Sequence, residues 1–109
     1  MYNSLKLFFS GLNYIDFDNP DNNIWQVTEE FSVQRTDGTS FARPDVVLMI
    51  NGIPFAVIEC KKSSVDVNEG VKQNVRNMKP EYIPHLFKYA QIVMAMNPQK
   101  VLYGVVFSD

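Results

Sequence analysis

Three charged side chains stand on two short apolar segments whose composition predicts β-strands. Asp45 opens the segment 45–50, and Glu59 and Lys61 close the segment 55–61. Both segments are rich in β-branched residues, and alternation along a strand puts Glu59 and Lys61 on one face of a sheet. Charged side chains are buried in a sheet only when they pair with an opposite charge or bind an ion. The pattern therefore predicts either a structural ion pair or a site for a cation.

A tight connection between the two segments brings their charges together. Asn51 and Gly52 form the pair that favours a two-residue type I′ hairpin. Strands joined in this way run antiparallel, so the start of the first lies beside the end of the second. Asp45 is therefore expected to approach Glu59. Cys60 points to the opposite face, and we interpret it as a small core residue and not as a nucleophile.

The longer stretch around these charges resembles a known family. Residues 43–62, RPDVVLMINGIPFAVIECKK, are similar to the endonuclease domain of the R subunit of type I restriction enzymes, which is a member of the PD-(D/E)xK nucleases. The shared features are an aspartate after proline (Asp45), the hairpin, and the Glu59-x-Lys61 strand. The flanking segments extend the resemblance over roughly residues 15–104. A bare Glu-x-Lys motif is common by chance, so the long match carries the interpretation.

The resemblance implies Mg²⁺-dependent hydrolysis of DNA phosphodiester bonds. It implies that Asp45, Glu59 and the backbone carbonyl of Cys60 hold the metal, and that Asp45, Glu59, Lys61 and Gln73 are the catalytic residues. The chemistry agrees with these residue types, because Mg²⁺ prefers oxygen ligands and lowers the pKa of a bound water. Lys61 is a compact cation suited to a place beside the attacking water or the phosphate.

A helix after the Glu-x-Lys strand carries another part of the resemblance. In the family a glutamine, followed four residues later by a tyrosine, helps to hold metal and DNA. Gln73 matches the glutamine, whereas Asn77 stands where the tyrosine is expected; both share one helical face. Many PD-(D/E)xK enzymes also use an acidic residue on an upstream helix. In this chain Glu29 is the candidate for that acidic role. The favoured interpretation is that Glu29 is an ordinary strand residue whose carboxylate is hydrogen-bonded or partly exposed.

Hydrophobic periodicity predicts the elements that hold these residues. Apolar residues in 2–12 indicate a short helix or a strand, with the helix slightly favoured. A single strand is predicted over 24–34, with Trp25, Val27, Phe31 and Val33 on one face, followed by a turn over 35–40. Together with the hairpin strands, it forms an antiparallel meander.

The second half of the chain is predicted to contain both helices and strands. A helix begins at Ser64 or Asp66 as N-cap and ends before Pro80, and it buries Val67, Val71, Val75 and Met78. A short helix over 82–89 and strands over 91–96 and 101–107 follow. The predicted fold class is α/β, a restriction-endonuclease-like mixed sheet with one core. We expect residues 1–109 to form a single domain, a fragment of a larger subunit.

Composition limits the classes of protein. The 109 residues are 46% hydrophobic and 20% charged, with a net charge of −2, one Cys and one His. These counts exclude a disulfide framework and a Cys/His zinc site. There is no apolar run long enough to cross a membrane and no signal peptide, so we expect a cytoplasmic protein without membrane partners. The acidic balance is not typical of a stand-alone DNA-binding protein.

Two hypotheses follow for function. The first is a Mg²⁺-dependent endonuclease domain acting on double-stranded DNA, with a helicase motor domain and specificity and methylation subunits as partners implied by the resemblance. No GxxxxGK[ST] motif occurs, so ATP would bind only in a motor outside this chain. The alternative is a catalytically inactive nuclease-fold module that binds DNA or a protein. Asn77 and the acidic charge favour the alternative slightly, whereas the intact Asp45, Glu59 and Lys61 argue against it.

Overall fold

A five-stranded mixed sheet organises the computed structural model, which describes residues 15–106. The predicted helix or strand over 2–12 lies outside the described residues. Within the sheet the spatial order is β1-β4-β5-β6-β7, and a separate two-stranded ribbon pairs β2 with β3. The strands are Trp25–Glu29 (β1), Val33–Gln34 (β2), Phe41–Ala42 (β3), Val46–Ile50 (β4), Ile53–Cys60 (β5), Ile92–Met96 (β6) and Val101–Val105 (β7).

The predicted hairpin is confirmed and sets the register of the central strands. Asn51 and Gly52 both have positive φ, at 53° and 80°, as a type I′ turn requires. β4 and β5 then pair antiparallel, with Val46 opposite Ile58. Asp45 precedes Val46 directly, so it reaches the same end of the sheet as Glu59.

The mixed character of the sheet is also confirmed. β5 pairs parallel with β6, placing Glu59 opposite Ala95, and β6 pairs antiparallel with β7. A parallel pair needs a crossover connection. Here that connection contains the helix α1, Asn68–Asn77, and a 3-10 helix over Pro84–Lys88, where a longer helix over 82–89 was predicted. The architecture is that of a restriction-endonuclease-like fold.

The prediction of one strand over 24–34 was wrong. β1 stops at Glu29, and Glu30 takes a φ of 51°, with its N–H donating to the carbonyl of Asp45 at 2.9 Å. This left-handed residue ends the strand and turns the chain into the ribbon. Trp25 and Val27 are consequently exposed, whereas Phe31 and Val33 pack against the core.

The main core lies on one face of the sheet. Alternate strand residues Val47, Met49 and Val57 are buried there, and they are covered by the segment that follows α1. That segment contributes Ile83, Leu86, Phe87 and Ala90. Among the described residues no helix has the length and apolar character needed to cross a membrane.

Helix α1 departs from the sequence prediction at its start and on its buried face. Its N-cap is Val67, without a side-chain cap; Asp66 instead accepts the N–H of Asn68 at 2.8 Å. The buried helical residues are Gly70, Asn74 and Asn77, whereas Val75 is half exposed. The predicted apolar face is confirmed at Val67, which is 2% exposed, and at Met78, which packs against the core, whereas Val75 faces solvent and small or polar residues make up the rest of the buried face.

Candidate active site

Glu59 is a carboxylate held almost completely out of water. It belongs to β5, its side chain is only 2% exposed, and it lies under α1. Gly70 allows this approach, since a Cβ at that position would lie 2.9 Å from the Cβ of Ala95 and 3.3 Å from that of Glu59. The absence of a side chain at Gly70 thus brings the helix down onto the carboxylate.

Asp45 meets Glu59 at the end of the hairpin. Its Oδ2 accepts the backbone N–H of Cys60 at 2.8 Å, which fixes the carboxylate against the end of β5. The Asp45 carboxyl is also close enough to the Glu59 side chain to raise the pKa of Glu59. The approach expected from the hairpin is therefore observed, and two carboxylates share one small site.

The proximity of the two acids changes the protonation of Glu59. Burial, first, and then the hydrogen bond to Asp45 and its negative charge raise the pKa of Glu59 to about 8. The positive charge of Lys61 acts in the opposite direction and lowers this pKa, but it is the smaller effect. At neutral pH, therefore, the Glu59 carboxyl keeps its proton.

This protonation predicts that the free energy of unfolding falls as pH rises. Between the ordinary pKa of 4.5 and about 8, folded Glu59 holds a proton that the unfolded chain releases. The stabilisation is complete below pH 4.5 and is lost as pH passes 8, with a slope of up to about 1.4 kcal/mol per pH unit. Urea unfolding in EDTA across this range measures it. Glu59→Gln should flatten the slope, and Asp21→Asn, an exposed control, should keep it; an equal slope in all three contradicts the assignment.

Cys60 and Lys61 directly follow Glu59, at the end of β5. Lys61 is half-buried, and its backbone N–H donates to the carbonyl of Met96 at 2.7 Å. Its effect on the pKa of Glu59 places its charge within electrostatic reach of the two acids. Cys60 is exposed, so its interpretation as a core residue was wrong. Partial burial and the nearby Asp45 raise the pKa of its thiol, which does not favour an activated nucleophile.

Gln73 and Asn77 have different environments despite their shared helical face. Gln73 is half-buried, and its Oε1 is buried with no hydrogen-bond partner. Such an orphaned acceptor costs free energy unless another group, such as a cation, satisfies it. Asn77 is 1% exposed, and its Oδ1 accepts from Arg76 Nη2 at 3.3 Å. It acts as a packed interior residue and presents no group to solvent.

Asn74 is a buried polar residue that sequence analysis did not identify. It is 3% exposed, its Nδ2 donates to the carbonyl of Met94 at 3.0 Å, and its Oδ1 has no partner. It ties α1 to β6 on the side of the helix that faces the sheet. The only available signal was an asparagine four residues after Gly70, which hydrophobic periodicity does not weigh.

A third acidic ligand does not join the pair within residues 15–106. No group of three His, Cys, Asp or Glu side chains there has the geometry to hold a metal ion. Glu29 ends β1 as an exposed residue opposite Val46, and its charge acts on the thiol of Cys60. The described carboxylate donors are thus those of Asp45 and Glu59, and the orphaned amide oxygen of Gln73 belongs to α1, one helical turn beyond Gly70.

An apolar groove of about 300 Å³ lies apart from the carboxylates, between α1, β6 and β7. Its walls include Val71, Val75, Met78 and Leu102, and no charged residue lines it. Asp45 and Glu59 therefore lie outside this groove, and the groove does not enclose a substrate cavity around them.

The fold is that of the restriction-endonuclease-like class. A family model described as the type I restriction enzyme R protein N terminus matches residues 4–109. The chain belongs to this family.

Curated relatives agree with that assignment. The chain is 37% identical over 98 residues to a putative type I restriction enzyme MjaIXP endonuclease subunit of Methanocaldococcus jannaschii, covering 87% of this chain and 9% of the relative. It is 37% identical over 86 residues to the SsaAORF53P endonuclease subunit of Staphylococcus saprophyticus, covering 79% and 9%. The SauCOLORF180P endonuclease subunit of Staphylococcus aureus is 35% identical over 92 residues, covering 84% and 10%. The chain thus spans about a tenth of the length of these relatives.

Proposed function

We propose that this chain is a metal-dependent endonuclease domain that hydrolyses DNA phosphodiester bonds, as part of the R subunit of a type I restriction enzyme. The observation that carries the proposal is the contact of Asp45 with Glu59, a carboxylate that is 2% exposed. Family membership adds support, because the relatives are named endonuclease subunits.

The residues present fit a divalent cation. A cation held by Asp45 and Glu59 would replace the proton that the raised pKa keeps on Glu59, and it would compensate the negative charge of both acids. Gln73 adds a buried oxygen without a partner. Asp45, Glu59 and, as a third donor, the backbone carbonyl of Cys60 would hold Mg²⁺, which prefers oxygen ligands. Bound there, Mg²⁺ would supply an acidified water and compensate negative charge at phosphorus.

The protein's own groups perform the remaining work. Asp45 is pre-oriented by the N–H of Cys60, so little side-chain freedom is lost when it takes up its role. Lys61 places a permanent positive charge near the two acids, where it can stabilise the charge that develops on a phosphate oxygen. Gln73 would orient a ligand or a water through its free amide oxygen.

The proposed partners follow from the size of the domain. The chain covers about a tenth of its relatives, so the helicase motor, with its ATP site, and the specificity and methylation subunits would lie outside these 109 residues. Double-stranded DNA is the proposed substrate. A net charge of −2 agrees with a domain that receives DNA from such partners.

A plasmid assay tests the proposal. Supercoiled DNA incubated with the chain should be nicked in Mg²⁺ or Mn²⁺ and remain intact in EDTA. Lys61→Ala should slow nicking by about a hundredfold, the size typical of one charge-stabilising group, while leaving the thermal melting curve close to that of the unsubstituted chain. Lys100→Ala, at an exposed turn, is the matched control.

The same assay separates the alternative of an inactive module. Asn77 is packed in the interior where the family pattern has a tyrosine, and this departure is the observation that favours the alternative. Calorimetric titration with Mg²⁺ is run beside the plasmid assay. Metal binding without nicking of either strand supports the inactive module, whereas metal-dependent nicking that Lys61→Ala reduces rejects it.

A further inference from the structure

Two arginines from distant parts of the chain share one tyrosine ring. The guanidinium carbon of Arg35 lies 4.1 Å from the centroid of the Tyr82 ring, and that of Arg76 lies 5.2 Å from it. Arg35 follows β2, Arg76 belongs to the last turn of α1, and Tyr82 lies in the loop after the helix. Three separate segments thus place two positive charges around a single aromatic platform.

The platform is rigid at its backbone. The N–H of Thr36 donates to the carbonyl of Tyr82 at 3.1 Å, and the Thr36 hydroxyl donates to that of Pro80 at 2.8 Å. Arg35 Nε donates to the carbonyl of Glu81 at 3.2 Å. These bonds fasten the ribbon turn to the loop after α1, so Arg35 is held in place before any ligand arrives.

The two guanidiniums have no carboxylate partner among residues 15–106. The ion pair described there within 4 Å joins Lys72 and Glu69. The carboxylate of Asp37 is near enough to feel Arg35, but it is engaged by Ser40 and Thr39. Both guanidinium carbons lie within 5.2 Å of one centroid, so two positive charges lie close enough together to attract an anion. Each keeps N–H donors beyond those used for its single hydrogen bond.

Arg76 lies further along α1 than Gly70, the residue that approaches Glu59. Gly70 touches Glu59, and Arg76 is six residues further along α1, about 9 Å along the helix axis. Gln73 lies between Gly70 and Arg76, three residues from each, and the six-residue step turns Arg76 about 120° around the helix axis from Gly70. Phosphates follow the axis of duplex DNA at about 3.4 Å per nucleotide of one strand. A duplex whose backbone passes both Glu59 and Arg76 would place at Arg76 a phosphate that lies at least two or three nucleotides from the bond at Glu59.

We propose that Arg35 and Arg76, held around Tyr82, form a binding site for the DNA sugar-phosphate backbone that extends the substrate track away from Asp45 and Glu59. This inference rests on the proposed nuclease function and assigns a partner to a surface remote from the acids. Guanidiniums suit phosphate because their N–H groups match two oxygens at once. Contacts of this kind position DNA and carry no base sequence.

Binding of a labelled 20-base-pair duplex to the 109-residue chain tests the site, with Ca²⁺ in place of Mg²⁺. The binding constant is measured at salt concentrations from about 0.05 to about 0.3 M, and its logarithm is plotted against that of the salt concentration to give the salt slope. Arg35→Gln and Arg76→Gln should each weaken binding about five- to tenfold at 0.1 M salt and reduce the salt slope by about 0.9. A duplex of unrelated sequence should give the same result. Lys88→Gln removes an exposed charge of the 3-10 helix and should leave affinity and slope unchanged.

Two further variants separate binding from folding. Arg35→Lys and Arg76→Lys keep the charge, so they should retain the salt slope even where the loss of stacking lowers the melting temperature. If the glutamine variants lower the melting temperature but bind with the original slope, the arginines only fasten the ribbon to the loop and the inference is wrong.

Plasmid nicking in Mg²⁺ by the same proteins distinguishes the two proposals. If the unsubstituted chain nicks DNA and both glutamine variants bind and nick DNA normally, the proposed backbone site is wrong and the nuclease proposal stands. If the unsubstituted chain binds DNA, the glutamine variants lose salt slope as predicted, and none of these proteins nicks the plasmid, the backbone site stands and the nuclease proposal is wrong. A chain that binds neither duplex and does not nick the plasmid overturns both.

Discussion

Asp45→Asn is expected to lower the rate of Mg²⁺-dependent DNA cleavage by about 10²–10³-fold, the loss typical when one preorganised charge is removed from a catalytic site. The amide keeps the size of the side chain and an oxygen that can accept the Cys60 N–H, which the structure shows at 2.8 Å. The fold should survive, but the site loses the charge that attracts a cation. A single-turnover nicking assay at saturating Mg²⁺ measures the effect.

The pairing of Asp45 with Glu59 makes a sharper form of this prediction. If the two acids serve one ion, Glu59→Gln and the double variant should each be about as slow as Asp45→Asn, because the second substitution removes nothing further. Asp21→Asn, at an exposed carboxylate of the first 3-10 helix, should cleave normally. Losses that multiply in the double variant, or full activity of Asp45→Asn, would show that the acids do not act as a unit.

Gly70→Val is expected to destabilise the folded chain by about 1–3 kcal/mol, the usual size of overpacking in a closely fitted interior. A Cβ at Gly70 would already be 2.9 Å from the Cβ of Ala95 and 3.3 Å from that of Glu59. Neither neighbour is the tip of a flexible side chain, so the helix must move away from β5 and β6. Denaturant unfolding measures the loss.

The same substitution should also reduce cleavage, since it displaces the helix from Glu59. Gly104→Val is the matched control, because a Cβ at Gly104 meets no atom within 4 Å and valine favours strands. It should be neutral or slightly stabilising. Equal stability of the two valine variants would mean that α1 does not lie as close to the sheet as described.

The central hairpin was predictable because its determinants are local. Asn51 and Gly52 impose the turn, and the strand period of two then fixes which residues face each way. The approach of Asp45 to Glu59 follows from these two rules alone. The family assignment likewise came from a long match centred on this hairpin, and the comparison with known families confirmed it.

The elements that were predicted incorrectly depend on distant partners. The segment 24–34 has the alternation of one strand, yet Glu30 breaks it by bonding to the carbonyl of Asp45, fifteen residues away. The valines of α1 suggest a buried face, yet the helix buries Gly70 and Asn74 because only small or hydrogen-bonding residues fit against β6. Periodicity counts apolar side chains and takes no account of how closely two backbones can approach.

The amino-acid order alone was sufficient for the mixed α/β class, the hairpin and the identity of the two acids, since each follows from neighbouring residues. The protonation of Glu59, the orphaned oxygen of Gln73 and the two arginines around Tyr82 emerged only after folding. These properties arise from burial and from charges that separate strands and loops bring within a few ångströms, and no spacing along the chain encodes such distances.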